Sequence, residues 1–263
     1  MKFTKMQGLG NDYLYVYADV PPGIEDLSKR LSDRHFGAGS DGMIYISPSG
    51  AADFRMRIFN ADGSEAAMCG NGIRCVGKYV YEKGYTDKSR LTIETLAGIK
   101  ELDMDIREGK VLSVSVDMGF AVVMDDARLP VGEGSVVCTP VNIGNPHAVI
   151  FVSDIEKAPV STLGPVMEKH GFFPEGVNVE FVRVLSEKKL RMRVWERGSG
   201  ITMACGTGAC ACVAAAVKKG LLGGGAPVTV VLDGGELEIT VGPDMRVTMS
   251  GPAEFVYEGE VEL

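Results

Sequence analysis

The sequence lacks the features of several large protein classes. Its longest apolar run, Ala209 to Val217, is far shorter than the roughly 18–20 residues that cross a bilayer. The first residues, MKFTKMQGLGNDY, contain no apolar signal-peptide core. Lys and Arg number 27 against 35 Asp and Glu, and the net charge of −8 gives no basic footprint for nucleic acid. These absences predict a soluble, cytoplasmic protein with no membrane or nucleic-acid partner, in which an anionic ligand needs a local positive pocket.

The cysteines lack the spacing of a metal site or a redox pair. No Cys-x-x-Cys occurs, and Cys-x5-Cys and Cys-x4-Cys-x-Cys lack the close pairs of a structural zinc site. Without a secretory signal, a disulfide framework is not expected either. We therefore predict no metal, and we interpret Cys75, Cys210 and Cys212 as buried packing residues. The other three cysteines are Cys69, Cys138 and Cys205.

Two stretches of the chain repeat each other. Residues 55–84 align without a gap over 191–220, a shift of 136, with eight identities in 30 positions, where average residue usage gives roughly two. The shift places Cys69-Gly70-x-Gly72 over Cys205-Gly206-x-Gly208. A weaker match flanks this core, GLGND-YLYVYAD against NIGNPHAVIFVSD. We infer an internal duplication whose best-preserved part is the cysteine loop.

Each repeat carries the same predicted order of elements. A short strand is followed by a helical segment (24–32; 160–169), two alternating strands, the cysteine loop, a second helix and three β-rich runs. The second helix of the later repeat, ACACVAAAV, is apolar on every face and is therefore predicted to be buried. The pattern predicts an α+β fold of two pseudo-symmetric domains, each a mixed β-sheet curled into a barrel around a central helix. The predicted boundaries are 1–119 plus 252–263 for the N-terminal half and 120–251 for the C-terminal half.

A cysteine followed by Gly-x-Gly at the start of a helix suits two kinds of chemistry. The first backbone N–H groups of a helix have no internal partner, and the helix dipole adds positive charge there, so a carboxylate binds well at that end. The same environment favours a thiolate and lowers a cysteine pKa below its ordinary value of about 8.5. Each loop therefore predicts a carboxylate cradle beside an activated sulfur.

Two such loops in one chain predict the inversion of a stereocentre. A thiolate on one side of a carbon removes a proton, and a thiol on the other side delivers a proton to the opposite face. The α-carbon of an amino acid fits this chemistry, because its carboxylate gains charge as the proton leaves and backbone N–H groups stabilise that charge. Duplication supplies the two nearly equivalent bases that the reaction needs.

The longest motifs resemble the diaminopimelate epimerase family, whose members interconvert LL- and meso-diaminopimelate in lysine and peptidoglycan synthesis. The matching stretches cover both halves in order: GLGNDY (8–13), DRHFGAGSDG (33–42), FNADGSEAAMCGNGIRC (59–75), ETLAG (94–98), GNPHAV (144–149), GVNVEFV (176–182) and ERGSGITMACGTGAC (196–210). The resemblance implies a pair of barrel-like sheets, each around a helix. It also implies an isomerase that uses no cofactor.

The resemblance assigns roles to individual residues. It implies that Cys69 and Cys205 are the catalytic thiols, which exchange acid and base roles with reaction direction. His147 and Glu196 are implied to assist catalysis, Glu196 also as a substrate contact. The implied α-carboxylate cradles are Gly70-Asn71 and Gly206-Thr207, and the residues implied to hold the substrate, chiefly its distal amino-carboxylate end, are Asn11, Asn60, Asn145, Asn178 and Arg197.

One position departs from the family pattern. The 136-residue shift pairs Asn178 with Gly42, at a place where many family members carry glutamine. The resemblance therefore predicts that a contact to the distal end of the substrate is lost here or replaced by water.

Other functions fit parts of the sequence. A cofactor-independent racemase of another amino acid, such as histidine, would use the same paired cysteines, although Arg197 favours a second carboxylate because a guanidinium binds one bidentately. Proline racemase-like enzymes usually carry Cys-Gly-His, which is absent here. A thiol redox protein lacks its Cys-x-x-Cys, and simple phosphate binding lacks a P-loop or dinucleotide fingerprint. The predicted partner is a small-molecule amino acid, and a homodimer is left open.

Overall fold

The structure, a computed structural model, describes residues 1–262. Contacts within the chain divide it into two compact units, Met1–Val116 with the segment from Gly251 onward and Asp117–Ser250. The domain boundaries drawn from the repeat, at 119/120 and 251/252, stay a prediction.

The first unit is a mixed β-sheet with two helices. Its sheet pairs β2 with β3 and β4 with β6 in parallel, and the remaining neighbours are antiparallel. Parallel neighbours need a crossover connection, and the two helices supply it. The elements are β1 (Lys2–Gly8), β2 (Asn11–Tyr17), α1 (Ile24–Ser32), β3 (Gly42–Pro48), β4 (Phe54–Asn60), β5 (Glu65–Ala66), α2 (Gly70–Glu82), β6 (Arg90–Thr95), β7 (Gly98–Arg107) and β8 (Lys110–Phe120).

The second unit repeats this arrangement. Its parallel pairs are β12 with β13 and β14 with β16, at the same places in the order. The elements are β9 (Val122–Val123), β10 (Ala127–Val131), β11 (Gly134–Asn142), β12 (Pro146–Phe151), α3 (Val160–Glu168), β13 (Asn178–Ser186), β14 (Lys189–Glu196), β15 (Gly200–Ile201), α4 (Gly206–Lys218), β16 (Val228–Leu232), β17 (Gly235–Val241) and β18 (Arg246–Gly251). A last strand, β19 (Glu254–Glu260), pairs antiparallel with β1. The predicted α+β class and its duplication are confirmed.

The two helices that follow the cysteine loops are buried. Every residue of α2 from Gly70 to Val80 is buried, as is every residue of α4 from Gly208 to Ala216. The small side chains of α4 allow close packing against β11 to β14, β16 and β17. A left-handed glycine, the residue favoured after a helix C-cap, follows each helix: Gly84 (φ 76°) and Gly220 (φ 69°). Within residues 1–262, no helix has the length and apolar character needed to cross a bilayer.

Strand register shows which positions correspond between the units. Leu14 pairs with Met43 across the parallel strands of the first unit, and Ala148 pairs with Val179 in the second. Tyr13 and His147, one residue earlier, are therefore structural equivalents, as are Gly42 and Asn178. By the same register, Ile44 corresponds to Glu180.

Candidate active site

Cys69 and Cys205 occupy the same position in the two units. Each caps the N-terminus of a buried helix with extended backbone (φ −136°, ψ 115° for Cys69; φ −114°, ψ 107° for Cys205). The sulfur of Cys69 accepts a hydrogen bond from Gly72 N–H at 3.3 Å, and that of Cys205 from Gly208 N–H at 3.4 Å. Sulfur thus takes the place of the side-chain oxygen of an ordinary N-cap. The prediction that both cysteines begin a helix is confirmed.

In the first unit, Cys69 lies beside the start of β2. Its thiol donates to Asn11 Oδ1 at 3.3 Å, and Asn11 Nδ2 donates to Asp41 Oδ2 at 2.8 Å. Arg34 in turn donates to Asp41 Oδ1 at 2.9 Å. Burial raises the pKa of nearby Tyr13 well above its ordinary value, so its phenol stays protonated. The surroundings of Cys69 are therefore polar and fixed by a carboxylate–guanidinium pair.

A buried guanidinium lies behind the first cysteine loop. The Arg74 side chain is fully buried and donates to Gly70 O at 3.1 Å and to Asn71 Oδ1 at 3.0 Å. A third bond runs from its Nε to Pro252 O at 3.2 Å. Arg74 thus holds the two residues of the predicted cradle and places positive charge close to the helix N-terminus. It is a local positive group of the kind that an anionic ligand needs in an acidic protein.

In the second unit, Cys205 lies among carboxylates. Burial first, and then the negative charges of Glu196 and Glu180, raise the pKa of Cys205 well above its ordinary value, although the Thr207 hydroxyl and Gly208 N–H oppose the shift. The predicted lowering of this thiol pKa is therefore wrong, because burial and two carboxylates outweigh the helix N-terminus. Cys205 is a thiol at neutral pH in this environment.

Glu196 lies at the end of β14 and contacts the same thiol. Burial raises the pKa of Glu196 above its ordinary value, while hydrogen bonds with Thr202 and Cys205 act in the opposite direction. Thr202 Oγ1 donates to Glu196 Oε1. A carboxyl group with a raised pKa can exchange a proton with an adjacent thiol, so Glu196 and Cys205 form a candidate acid/base pair.

Three side chains link Cys205 to a buried carboxylate. Thr207 Oγ1 lies 3.6 Å from Cys205 Sγ, and Asn145 Nδ2 donates to Thr207 Oγ1 at 3.3 Å. His147 Nε2 lies 3.0 Å from Asn145 Oδ1, and His147 Nδ1 lies 2.6 Å from Glu180 Oε1. The side chains of His147 and Glu180 are both 0% exposed. Four predicted site residues of this unit therefore join one hydrogen-bonded chain.

The other predicted substrate residues lie apart from that chain. Asn178 Nδ2 donates to Pro146 O at 3.2 Å, and Asn178 Oδ1 accepts from the backbone N–H of Arg197 at 3.0 Å. The Arg197 side chain is exposed and donates to a backbone carbonyl at 2.9 Å. In the first unit, Asn60 Nδ2 donates to a serine hydroxyl at 3.1 Å. Asn178 and Arg197 are thus neighbours, and their common role in holding the substrate stays a prediction.

Sequence reasoning missed Glu180, Asp41 and Arg74. All three stand inside stretches that carry the family resemblance, GVNVEFV, DRHFGAGSDG and CGNGIRC. A signal was present for Glu180, since one charged residue in an otherwise apolar strand is expected to have a buried partner. Among residues 1–262, no group of three or more His, Cys, Asp or Glu side chains has an arrangement that could hold a metal ion.

Comparisons with known proteins agree with the motifs. A model of the diaminopimelate epimerase family matches residues 3–124 and 139–256. The chain belongs to the diaminopimelate epimerase family. Three curated relatives with that name come from Methanococcus maripaludis (50% identical, all of both chains), Acetivibrio thermocellus (48%; 100% of this chain and 99% of the relative) and Geobacillus thermodenitrificans (51%; 98% and 95%).

Solved structures of low identity share the epimerase fold. A probable proline racemase from Agrobacterium radiobacter aligns with a TM-score of 0.78 at 19% identity, over 100% of this chain and 93% of the other. A phenazine biosynthesis protein of the PhzF family from Bacillus anthracis also gives 0.78, at 18% identity over 100% and 99%. At these identities the likeness concerns the fold alone.

Proposed function

We propose that this epimerase converts LL-2,6-diaminopimelate to the meso isomer with Cys69 and Cys205 as its two acid/base groups. The observation that carries the assignment is the matched capping geometry: each sulfur accepts an amide hydrogen bond, at 3.3 and 3.4 Å, at the N-terminus of its own buried helix. Membership of the family supplies the substrate and the reaction type.

The proposed reaction transfers one proton at each face of the α-carbon. A thiolate takes the α-proton, so the C–H bond breaks, an S–H bond forms and the electron pair moves into the carboxylate as an enediolate. The second cysteine then gives its thiol proton to the opposite face, which forms the new C–H bond and leaves a thiolate. After one turnover the protonation of the two sulfurs is exchanged, and the reverse reaction starts from that state.

The surrounding residues have separate proposed tasks. Backbone N–H groups of Gly70-Asn71 and Gly206-Thr207 stabilise the charge that grows on the α-carboxylate. When both cysteines start as thiols, Glu196 accepts the Cys205 proton and so makes Cys205 the base, which also avoids a thiolate beside a carboxylate. The distal amino-carboxylate end is assigned to Asn11, Asn60, Asn145, Asn178 and Arg197.

Solvent isotope incorporation tests this proposal. The purified protein, treated with chelator and without pyridoxal phosphate, is incubated in deuterium oxide with LL-diaminopimelate, histidine or proline in parallel. Deuterium at the α-carbon of diaminopimelate alone is expected. Incorporation into histidine instead would support the rival racemase, and an absolute need for an added cofactor would contradict the mechanism. The cytoplasmic location and a homodimer stay predictions.

A further inference from the structure

Glu180 is a carboxylate in the core of the second unit. Its side chain is 0% exposed, and its Oε1 lies 2.6 Å from Nδ1 of the equally buried His147. Its other oxygen, Oε2, is buried without a hydrogen bond from any described residue. Burying a carboxylate with one oxygen unsatisfied is strongly unfavourable for folding. The position therefore has a reason other than stability.

The fold itself does not require a carboxylate at this point. The equivalent of Glu180 in the first unit is Ile44, which is fully buried and contacts the helix at the equivalent glycine. A Cβ atom on Gly72 would meet Ile44 Cδ1 at 2.7 Å, and one on Gly208 would meet Glu180 Oε1 at 2.8 Å. One unit thus packs an apolar side chain where the other packs an acid. Packing alone therefore does not account for the acid, and we look for its role in the candidate active site.

The next hydrogen bond in the chain joins His147 Nε2 to Asn145 Oδ1. His147 and Glu180 together carry no net charge when one proton lies between Nδ1 and Oε1 and a second proton sits on Nε2. Asn145 turns its amide oxygen, which can only accept a hydrogen bond, toward Nε2. Nε2 therefore donates to Asn145 Oδ1, 3.0 Å away.

The donor and acceptor of this hydrogen bond determine those of the next ones, as far as the Cys205 sulfur. Because Asn145 Oδ1 accepts from His147, its Nδ2 faces Thr207 Oγ1 and donates to it at 3.3 Å. The Thr207 hydroxyl hydrogen is then left to point at Cys205 Sγ, 3.6 Å away. An Asn145 amide turned the other way would accept that hydrogen and withdraw it from the sulfur.

We propose that Glu180 is a positioning residue: through His147 and Asn145 it orients the Thr207 hydroxyl as a donor to Cys205, and so stabilises the thiolate form of that cysteine. The proposal rests on the assignment of Cys205 as an acid/base group. It gives His147 an indirect role, since both of its ring nitrogens are already bonded within the protein. The titratable groups that face Cys205 from the strands packed on α4 are Glu180 and Glu196, with His147 behind Asn145.

Two substitutions of Glu180, to Gln and to Met, have equal charge and similar shape, and they separate a positioning role from a structural one. Glu180→Gln keeps an amide N–H that can donate to His147 Nδ1 and hold the proton on Nε2. Glu180→Met has nearly the same length and no donor. Thr207→Val removes the last donor of the chain and leaves the buried pair intact. The readouts are kcat, KM and the pH dependence of iodoacetamide alkylation at Cys205, followed by mass spectrometry with Cys69 as the reference in the same molecule.

In Glu180→Met, the alkylation of Cys205 is expected to need a pH about 0.5–1 unit higher than in Glu180→Gln, the shift that one hydrogen bond gives. Its kcat is expected to be roughly tenfold lower, with KM within about threefold. Adding Thr207→Val to Glu180→Met should not move the pH of Cys205 alkylation further, because both substitutions act on one hydroxyl. Equal behaviour of Glu180→Gln and Glu180→Met, a full additional effect of Thr207→Val, or a Cys69 profile that moves with Cys205 would overturn the proposal.

A measurement on the wild-type protein keeps the test independent of how the variants fold. Nitrogen-15 NMR of the three histidine rings, with signals assigned through His35→Gln and His170→Gln, is expected to show a proton on His147 Nε2 at neutral pH. A bare Nε2 would refute the chain of donors. Neither NMR nor alkylation depends on turnover. Absence of deuterium incorporation would therefore contradict the proposed function, and the NMR and alkylation results would still test the role of Glu180.

Discussion

A Cβ atom on Gly208 would lie 2.8 Å from Oε1 of Glu180, closer than real Cβ contacts allow. Its counterpart on Gly72 would lie 2.7 Å from Ile44 Cδ1. The sequence predicts a carboxylate cradle at the Gly-x-Gly of both loops, which is one reason for glycine there. The structure adds a second reason at these two positions, since each glycine lets its helix pack directly against a buried strand.

Alanine at either of these glycines should destabilise the protein. We expect Gly72→Ala and Gly208→Ala each to lower the free energy of unfolding by about 1–3 kcal/mol, because the added methyl group overpacks a buried contact. Thermal unfolding measures this, at about 2–4 °C in Tm for each kcal/mol in a chain of this size. Gly50→Ala and Gly223→Ala serve as controls, since a methyl group added at either position would have no atom within 4 Å and neither glycine has a left-handed backbone. Equal Tm values for all four variants would contradict the packing argument.

Gly42 is also restricted by packing. A Cβ atom there would lie 2.2 Å from the carbonyl oxygen of Phe59 and 2.9 Å from a ring carbon of Tyr13, and its φ of 156° disfavours a side chain. We expect Gly42→Gln to lose more than about 2 kcal/mol of stability because backbone must move to admit the side chain. Chemical denaturation would measure the loss, with Gly50→Gln as the exposed control. A Gly42→Gln variant as stable as wild type would show that the backbone of β3 and β4 moves to admit the side chain at little cost in stability.

Much of the fold could be predicted because its signals are local and occur twice. The helix at 24–32 and the order of elements around each cysteine loop followed from periodicity. The charge state of Cys205 could not be predicted, because Glu180 and Glu196 reach it from two separate strands. The helix-terminus rule is correct for the helix alone, and burial among acids outweighs it. A short sequence motif does not show which residues from distant parts of the chain come into contact.

Removal of either proposed catalytic sulfur should abolish turnover. We expect Cys69→Ala and Cys205→Ala each to lower kcat by about 10²–10⁴-fold, the range for loss of a general acid or base. Cys210→Ala, a change in the buried face of α4, should keep near-normal kcat and lose only some stability. Epimerisation followed by chiral chromatography measures all three. Near-normal turnover by either of the first two variants would refute the two-thiol assignment.

The last prediction concerns the acids around Cys205. The negative charge of Glu196 disfavours the thiolate and so raises the pKa of Cys205. Glu196→Gln removes that charge, the pKa of the thiol falls, and a larger fraction is thiolate at any given pH. The rise in Cys205 alkylation with pH should therefore move to lower pH by about one unit, while kcat falls because the proton acceptor is gone. Glu236→Gln, an exposed change that breaks only the ion pair with Lys189, should leave the alkylation profile unchanged. A profile that stays in place in Glu196→Gln would mean that this carboxyl carries no charge next to the sulfur, and the acid/base pair would have to be abandoned.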